Sequence, residues 1–243
     1  LSGLVGSEMC IRDRVIKASD FSLLAHSHHD LRYTILRMQA VDLWRIDMRS
    51  MDAEGEIKEV AKNFNLLESA LISNRTITLF GEINQEVARK TAEKLLALSF
   101  ESDEPITMYI GSPGGHVESG DTIFDMIRYI KPQVRTVGTG WVGSIATHIY
   151  LAPDKKNRFA LPNTRFLIHQ PHGGFGGDAS DIEIHAREIV KTRERINGVI
   201  AAQTGQSLDK VAEDTQRDYW MSAEESVDYG LVGKIISNID DLS

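Results

Sequence analysis

From residue 75 onward, apolar and polar positions fall into regular periods. "RTITLFGEI" is rich in β-branched and aromatic residues and predicts a strand. Asn84 is placed to cap a helix over "QEVARKTAEKLLALSF", and Pro105 then marks a turn before a second strand, "ITMYIGS". "PGG" turns the chain into a helix whose Ile123, Met126, Ile127 and Ile130 share one face, ended by Lys131-Pro132. "VRTVGTG" predicts a third strand and "TRFLIHQ" a fourth. The glycine-rich "PHGGFGGDAS" precedes a long charged helix from about Ser180 to Gln203. A short helix, "SLDKVAEDT", leads through "YWMSAEESVDYGL" to a last strand, "VGKIIS". Strands alternating with helices predict an α/β fold with a largely parallel sheet under helical cover.

Residues 1–50 lack this order and are expected to be a non-native or disordered extension, with a single domain over 51–243. Within it, "VGSEMCIRDR" reads as translated adaptor sequence, so 1–14 are expected to be an assembly artefact. No signal-peptide or transit-peptide pattern fits residues 1–50. His26, His28 and His29 stand close together but without a carboxylate pattern, and are read as solvated rather than metal-binding. Met51 begins a more ordinary opening.

Composition narrows the function classes. The 243 residues carry a formal net charge of −8, which argues against nucleic acid or an anionic membrane as the main partner. No apolar run approaches the ~20 residues needed to cross a bilayer. Cys10 is the only cysteine, so no internal disulfide or cysteine-based metal site is expected, and a reducing, cytoplasmic compartment is the default.

Three stretches could carry chemistry. In "GSPGG", Gly114 and Gly115 lie between a strand and a helix, where backbone N–H groups can face an anion or an oxyanion; a tight turn is the plainer reading. In "GTGWVGSIATHIYLA", Ser144 stands at a helix start, as either an N-cap or a nucleophile favoured by the local positive potential. In "LIHQP", His169 closes an apolar strand, a good place for a base or for a structural histidine. His172 competes with it, while His148 and His185 fall on helices. A serine nucleophile needs a base and an orienting carboxylate. Spacing leaves Asp178, Asp181, Asp214 and Asp218 all open.

Longer stretches carry a family resemblance. "SPGGHVESGDTIFDMIRYIKP", "LPNTRFLIHQP", "GGDASDIEIHAREI" and "TGQSLDKVAEDTQRDYWMSAEESVDYGLV" together resemble the proteolytic subunits of Clp protease, the ClpP family, over roughly residues 75 to 237. The resemblance implies a ClpP/crotonase-like fold: a repeated β-β-α spiral with an extended strand-helix handle. It places the nucleophile on Ser144, the base on His169 and the acid on Asp218. Oxyanion donors would be the backbone N–H groups of Gly115 and Ile145, and Arg217 would couple the triad to ring pairing. It further implies a serine endopeptidase acting on unfolded polypeptides through an acyl-enzyme. Heptameric rings would stack as a tetradecamer and work with a AAA+ unfoldase such as ClpX or ClpA. ATP would be used by that partner, with no cofactor or metal in this subunit.

Some residues depart from the family. Where it usually shows G-Q-A-A-S-M-G, this chain has Gly140 through Ala146, with Trp141, Ala146 and His148 all unlike the pattern. His148, one helical turn past Ser144, is expected to be buried or at the surface rather than in the site. These departures keep open an alternative, a catalytically weak structural ring subunit of the ClpR kind. The crotonases share the oxyanion device without the triad, and signal peptide peptidases use a Ser–Lys pair. The complete triad argues against both.

Overall fold

The computed structural model describes residues 66–174 and 176–242, all within one compact unit, Asn63–Ser243. The expectations for 1–14, for 1–50, for His26, His28 and His29, and for the opening at Met51 lie outside the described residues.

After a helical stretch over 66–73, a seven-stranded sheet carries the chain. Its strands are β1 (Thr76–Phe80), β2 (Ile106–Ser112), β3 (Val134–Gly143), β4 (Arg158–Ala160), β5 (Arg165–Ile168), β6 (Tyr219–Met221) and β7 (Lys234–Ile235). The main path runs β1-β2-β3-β4-β7, all parallel; β5 also joins β3, and β6 pairs antiparallel with β5. Between the strands come α1 (Gln85–Glu101), α2 (Val117–Tyr129), α3 (Ile145–Tyr150), α4 (Ala179–Thr204), α5 (Leu208–Asp214) and α6 (Ala223–Tyr229). The alternation read from the sequence is therefore the observed one. Asn84 caps α1 as expected, its side chain accepting from Val87 N at 2.9 Å.

Three short elements were not separated by the sequence pattern: β4, β6 and α6. Each strand has only three residues, too short for a period of two to register, and the register is fixed by neighbours rather than by local preference. The glycine-rich segment also differs from the handle that the resemblance implies. Its described residues, 171–174 and 176–178, belong to no helix or strand. A strand must place its backbone groups on a neighbour, and among the described residues none pairs with this segment.

Strand β3 does the positioning. Its first half pairs β4, Thr136 to Gly138 against Arg158 to Ala160; its second half pairs β5, Trp141 to Gly143 against Arg165 to Leu167. Gly140, with φ +60°, sits between the halves and lets the strand turn from one neighbour to the other. The carboxyl ends of β2, β3 and β5 thus converge, each followed by residues that carry candidate chemistry.

All six residues of α3 are buried. Ile145, Ile149, Tyr150 and Leu151 join the main core with Ile123, Ile127, Phe166 and Ile168. Removing each large side chain from water contributes roughly 1.5–3 kcal/mol, so a short helix with little intrinsic stability is held by packing. Thr147 fastens it further: its hydroxyl lies 3.0 Å from both Val142 O and Leu167 O, at the ends of β3 and β5. Gly120 in α2 completes the seat, since a Cβ there would stand 2.1 Å from Ile145 Cγ1.

Candidate active site

Ser144 occupies the N-cap position of α3 but does not cap it: no helix N–H reaches its side chain. Its backbone takes φ 56° and ψ −129°, one of two non-glycine residues with positive φ among those described. Such a conformation costs about 1–3 kcal/mol and persists only where the surroundings impose it. Here Ser144 N donates to Leu167 O at 2.9 Å while Ser144 O accepts from Thr147 N at 3.0 Å. The strand below and the helix above hold the residue from both sides and turn its side chain outward.

That side chain meets His169. Ser144 Oγ lies 2.8 Å from His169 Nε2, and His169 Nδ1 lies 3.1 Å from Asp218 Oδ1. His169 leaves the end of β5, next to the end of β3, and Asp218 precedes β6, the antiparallel partner of β5. Adjacent strands thereby bring the histidine and the carboxylate together across a sequence separation of 49 residues. With Ser144 donating to Nε2, the neutral ring carries its proton on Nδ1 and donates it to Asp218. The His169 side chain is 15% exposed and that of Asp218 64%, so the pair sits at the rim of the cleft rather than beneath it.

The other carboxylates are engaged elsewhere or placed elsewhere. Asp214 accepts from Tyr229 OH at 2.8 Å and from Lys210 Nζ at 2.9 Å. Asp178 precedes α4 and Asp181 lies in its first turn. Of the four aspartates that spacing left open, Asp218 is the one that lies within hydrogen-bonding distance of His169. His172 stacks edge-on to His169 with ring centroids 5.2 Å apart but stays exposed, and His185 lies exposed on α4. Arg217 is exposed beside Asp218.

The glycine pair forms the facing wall. Ile83 and Gly115 make an isolated parallel bridge, in which Ile83 N donates to Gly114 O and His116 N donates to Ile83 O, both at 2.8 Å. Neither bond uses the Gly115 N–H. Both glycines have positive φ, +99° and +149°, and neither has room for a side chain. A Cβ on Gly114 would lie 2.6 Å from Ser144 Cβ, and one on Gly115 would lie 2.2 Å from Ile83 O. Ile145 opens α3, so its N–H is among the donors a helix leaves unpaired. These two N–H groups belong to the two segments that meet where Gly114 packs on Ser144.

Beside the serine a small cleft is lined by Val117, Ser144, Ile145, His148, Ile168, His169, Pro171, Ile196 and Ile200. Its walls are mostly aliphatic. His148 is buried, as its helix position led us to expect, yet it also borders this cleft beside Ser144. It stacks on Phe124 with ring centroids 4.4 Å apart and sends Nε2 to Asp121 Oδ1 at 3.3 Å. Asp121 in turn holds Arg195 of α4 through two bonds of 2.7 and 2.6 Å. Burial pushes the Asp121 carboxyl upward, but hydrogen bonds from His148 and Arg195 and their charges outweigh it and hold it below the usual carboxylate range. Sequence reading passed over Asp121 and Arg195, which are separated by 74 positions with no local pattern joining them. Among the described residues, no group of three or more His, Cys, Asp or Glu side chains could hold a metal ion, and no helix is long and apolar enough to cross a membrane.

The family model described as Clp protease matches residues 59–239. A chain named "ATP-dependent Clp protease proteolytic subunit 3" from Rhizobium johnstonii is 53% identical over 195 residues, 80% of this chain and all of that one. Subunit 2 of the same enzyme from Gluconobacter oxydans is 50% identical over 191 residues, covering 78% of this chain and 86% of its own. Among solved structures, ClpP1 from Listeria monocytogenes superposes with a TM-score of 0.67 at 52% identity, covering 73% of this chain and 99% of that one. With a family match over most of its length and relatives at half identity, this chain belongs to the Clp protease family.

Proposed function

We propose that this chain is a serine endopeptidase that hydrolyses peptide bonds through an acyl-enzyme, with Ser144, His169 and Asp218 as its triad. The observation that carries the reading is the 2.8 Å contact of Ser144 Oγ with His169 Nε2, on a serine whose backbone is strained and whose side chain caps nothing. The Ser144 oxygen forms a bond to the scissile carbonyl carbon as its proton passes to His169 Nε2. The C–N bond then breaks, and the same proton goes to the leaving amine. Water repeats the sequence on the acyl-enzyme and regenerates the serine. Asp218 holds the ring tautomer and stabilises the imidazolium. The N–H groups of Gly115 and Ile145 receive the oxyanion, each contributing about 3 kcal/mol to the transition state.

The reading extends to assembly. Relatives carry the words "ATP-dependent" in their names, and this subunit has no nucleotide-binding glycine motif, so the ATP is consumed by a partner. We assign that role to a AAA+ unfoldase such as ClpX or ClpA, feeding unfolded polypeptide into two stacked heptameric rings, a cytoplasmic tetradecamer. No nucleic acid or membrane is a partner in this scheme. The long helix α4 leaves Ile182, Ile184 and Val190 exposed, which supports its use in ring-to-ring contact, with Arg217 coupling that contact to the triad.

A fluorophosphonate tests the catalytic reading directly. Labelling of the assembled, folded protein with the adduct mapped to Ser144 is the expected result. No adduct under those conditions overturns it and leaves a structural ring subunit.

A further inference from the structure

We infer that Asp121 and Arg195 form a clasp that sets the width of the cleft beside Ser144 and so selects against bulky side chains there. Both are positioning residues, acting on substrate only through helix α4. The inference rests on the endopeptidase reading, in which the residue whose carbonyl is attacked places its side chain in this cleft.

The cleft is closed in this structure. Its volume is about 20 Å³, space for about one water and hence for a methyl group. A leucine or phenylalanine side chain enters only if a wall gives way. Most of the walls are fixed. Ile168 ends a strand that pairs with β3 on one side and β6 on the other. Ile145 and His148 lie on the wholly buried α3. Val117 lies on α2, which packs so tightly on Ile145 at Gly120 that no Cβ fits between them. Moving any of these disturbs Ser144, His169 or the Gly115 turn.

The α4 wall is held differently. Of its 26 residues only Ile196, Asn197 and Ile200 are buried, and Ile196 and Ile200 line the cleft. Asn197 accepts from Thr215 Oγ1 at 3.1 Å, which ties the helix toward the end of α5. Toward α2 the tie is Arg195, next to Ile196, whose bonds of 2.7 and 2.6 Å reach Asp121, one turn beyond Val117. The pair thus joins two sides of the cleft beside residues that line it. Asp125 and Glu118, one turn to either side of Asp121, add their attraction for the same guanidinium. Two-pronged geometry fixes the angle of approach as well as the distance, so these bonds set where Ile196 stands. The Arg195 side chain is 46% exposed and that of Asp121 21%, so water competes for the pair and the clasp can open. A substrate that needs the open cleft meets only the fraction of molecules with the clasp released, and its apparent affinity falls by that fraction.

The experiment compares cleavage by the assembled protein of two internally quenched peptides that differ only in the residue before the scissile bond, phenylalanine or alanine. Arg195→Met keeps the length of the side chain without its charge or its bonds. It is expected to lower KM for the phenylalanine peptide by about fivefold, with kcat near native and the alanine peptide little changed. Arg195→Lys, which keeps the charge but not the two-pronged fork, is expected to fall between native and Arg195→Met. A phenylalanine-to-alanine ratio of kcat/KM that stays native in an active Arg195→Met protein overturns the inference and leaves the endopeptidase reading intact. Amide hydrogen exchange supplies a readout that needs no catalysis. Exchange over 192–204 is expected to quicken in Arg195→Met while that of β3 and β5 stays native, and native exchange over 192–204 also overturns the clasp. Failure of the native protein to cleave either peptide overturns the endopeptidase reading and the selection, whatever the exchange shows of the clasp.

Discussion

Gly114 and Ser144 approach so closely that a Cβ on the glycine would stand 2.6 Å from the serine Cβ. The glycine wall and Ser144 are therefore packed as one unit. Gly114→Ala adds both a clash and a side chain at φ +99°, and the neighbours can yield only by moving Ser144 or the backbone beside it, the residue proposed as nucleophile. We expect kcat/KM on a peptide substrate to fall by roughly 10²-fold or more, in line with a misplaced reacting group. Near-normal activity in this variant would show that the wall and the serine are not rigidly coupled.

Asp218 is set 3.1 Å from His169 but is well exposed, so water can take over part of its role. Asp218→Asn is expected to lower kcat by roughly 10²–10⁴-fold while leaving KM within a few-fold. Steady-state kinetics decide it, and a loss confined to KM would contradict the role assigned to Asp218.

Asp214 provides the contrast. It ties Tyr229 and Lys210 together, and its neighbourhood together with burial pushes the Tyr229 hydroxyl upward, burial being the larger cause. Asp214→Asn should cost roughly 1 kcal/mol of stability, the ordinary worth of a hydrogen bond. Its activity should stay within about threefold of native. A denaturant melt beside a peptidase assay separates the two carboxylates; a loss as deep as that of Asp218→Asn would place Asp214 in the site.

Asp121 links pH to stability. Its carboxyl is held below the ordinary range in the folded chain, so its stabilisation is fully present above the unfolded value of about 3.9 and is lost as pH falls through the lower folded value. Asp121→Asn is therefore expected to be less stable than native at pH 7 by about 1 kcal/mol, allowing for partial solvent screening. The gap should narrow as the pH falls below 4. Thermal melts across that range test it; a gap independent of pH would mean that the charge contributes nothing.

Thr147 bridges α3 to two strand ends with one buried hydroxyl. Thr147→Val keeps the shape and leaves both carbonyls without that donor, so roughly 1–3 kcal/mol of stability should be lost. Because Leu167 O also receives Ser144 N, activity should fall along with stability. Stability lost with kcat unchanged would confine Thr147 to packing.

The sequence by itself determined the elements whose signals are local. The Asn84 cap, the Ile123–Ile127 face and the strand over "ITMYIGS" each depend on signals within a single element, and the described residues adopt them. It also marked Ser144, His169 and the 114–115 glycines as places where chemistry could reside, and the family resemblance added Asp218. Only the tertiary structure decided the rest. By position alone, a helix cap was the plainer reading of Ser144; the bond from its N–H to Leu167 O gives it a backbone in which its side chain caps nothing. Spacing left Asp214 and Asp218 equal, and the antiparallel pairing of β6 with β5 separates them. The His148–Asp121–Arg195 chain had no signal at all, because its members come from three helices that meet only when the core closes. Periodicity records which face of an element is buried; it carries no record of which other element will cover that face.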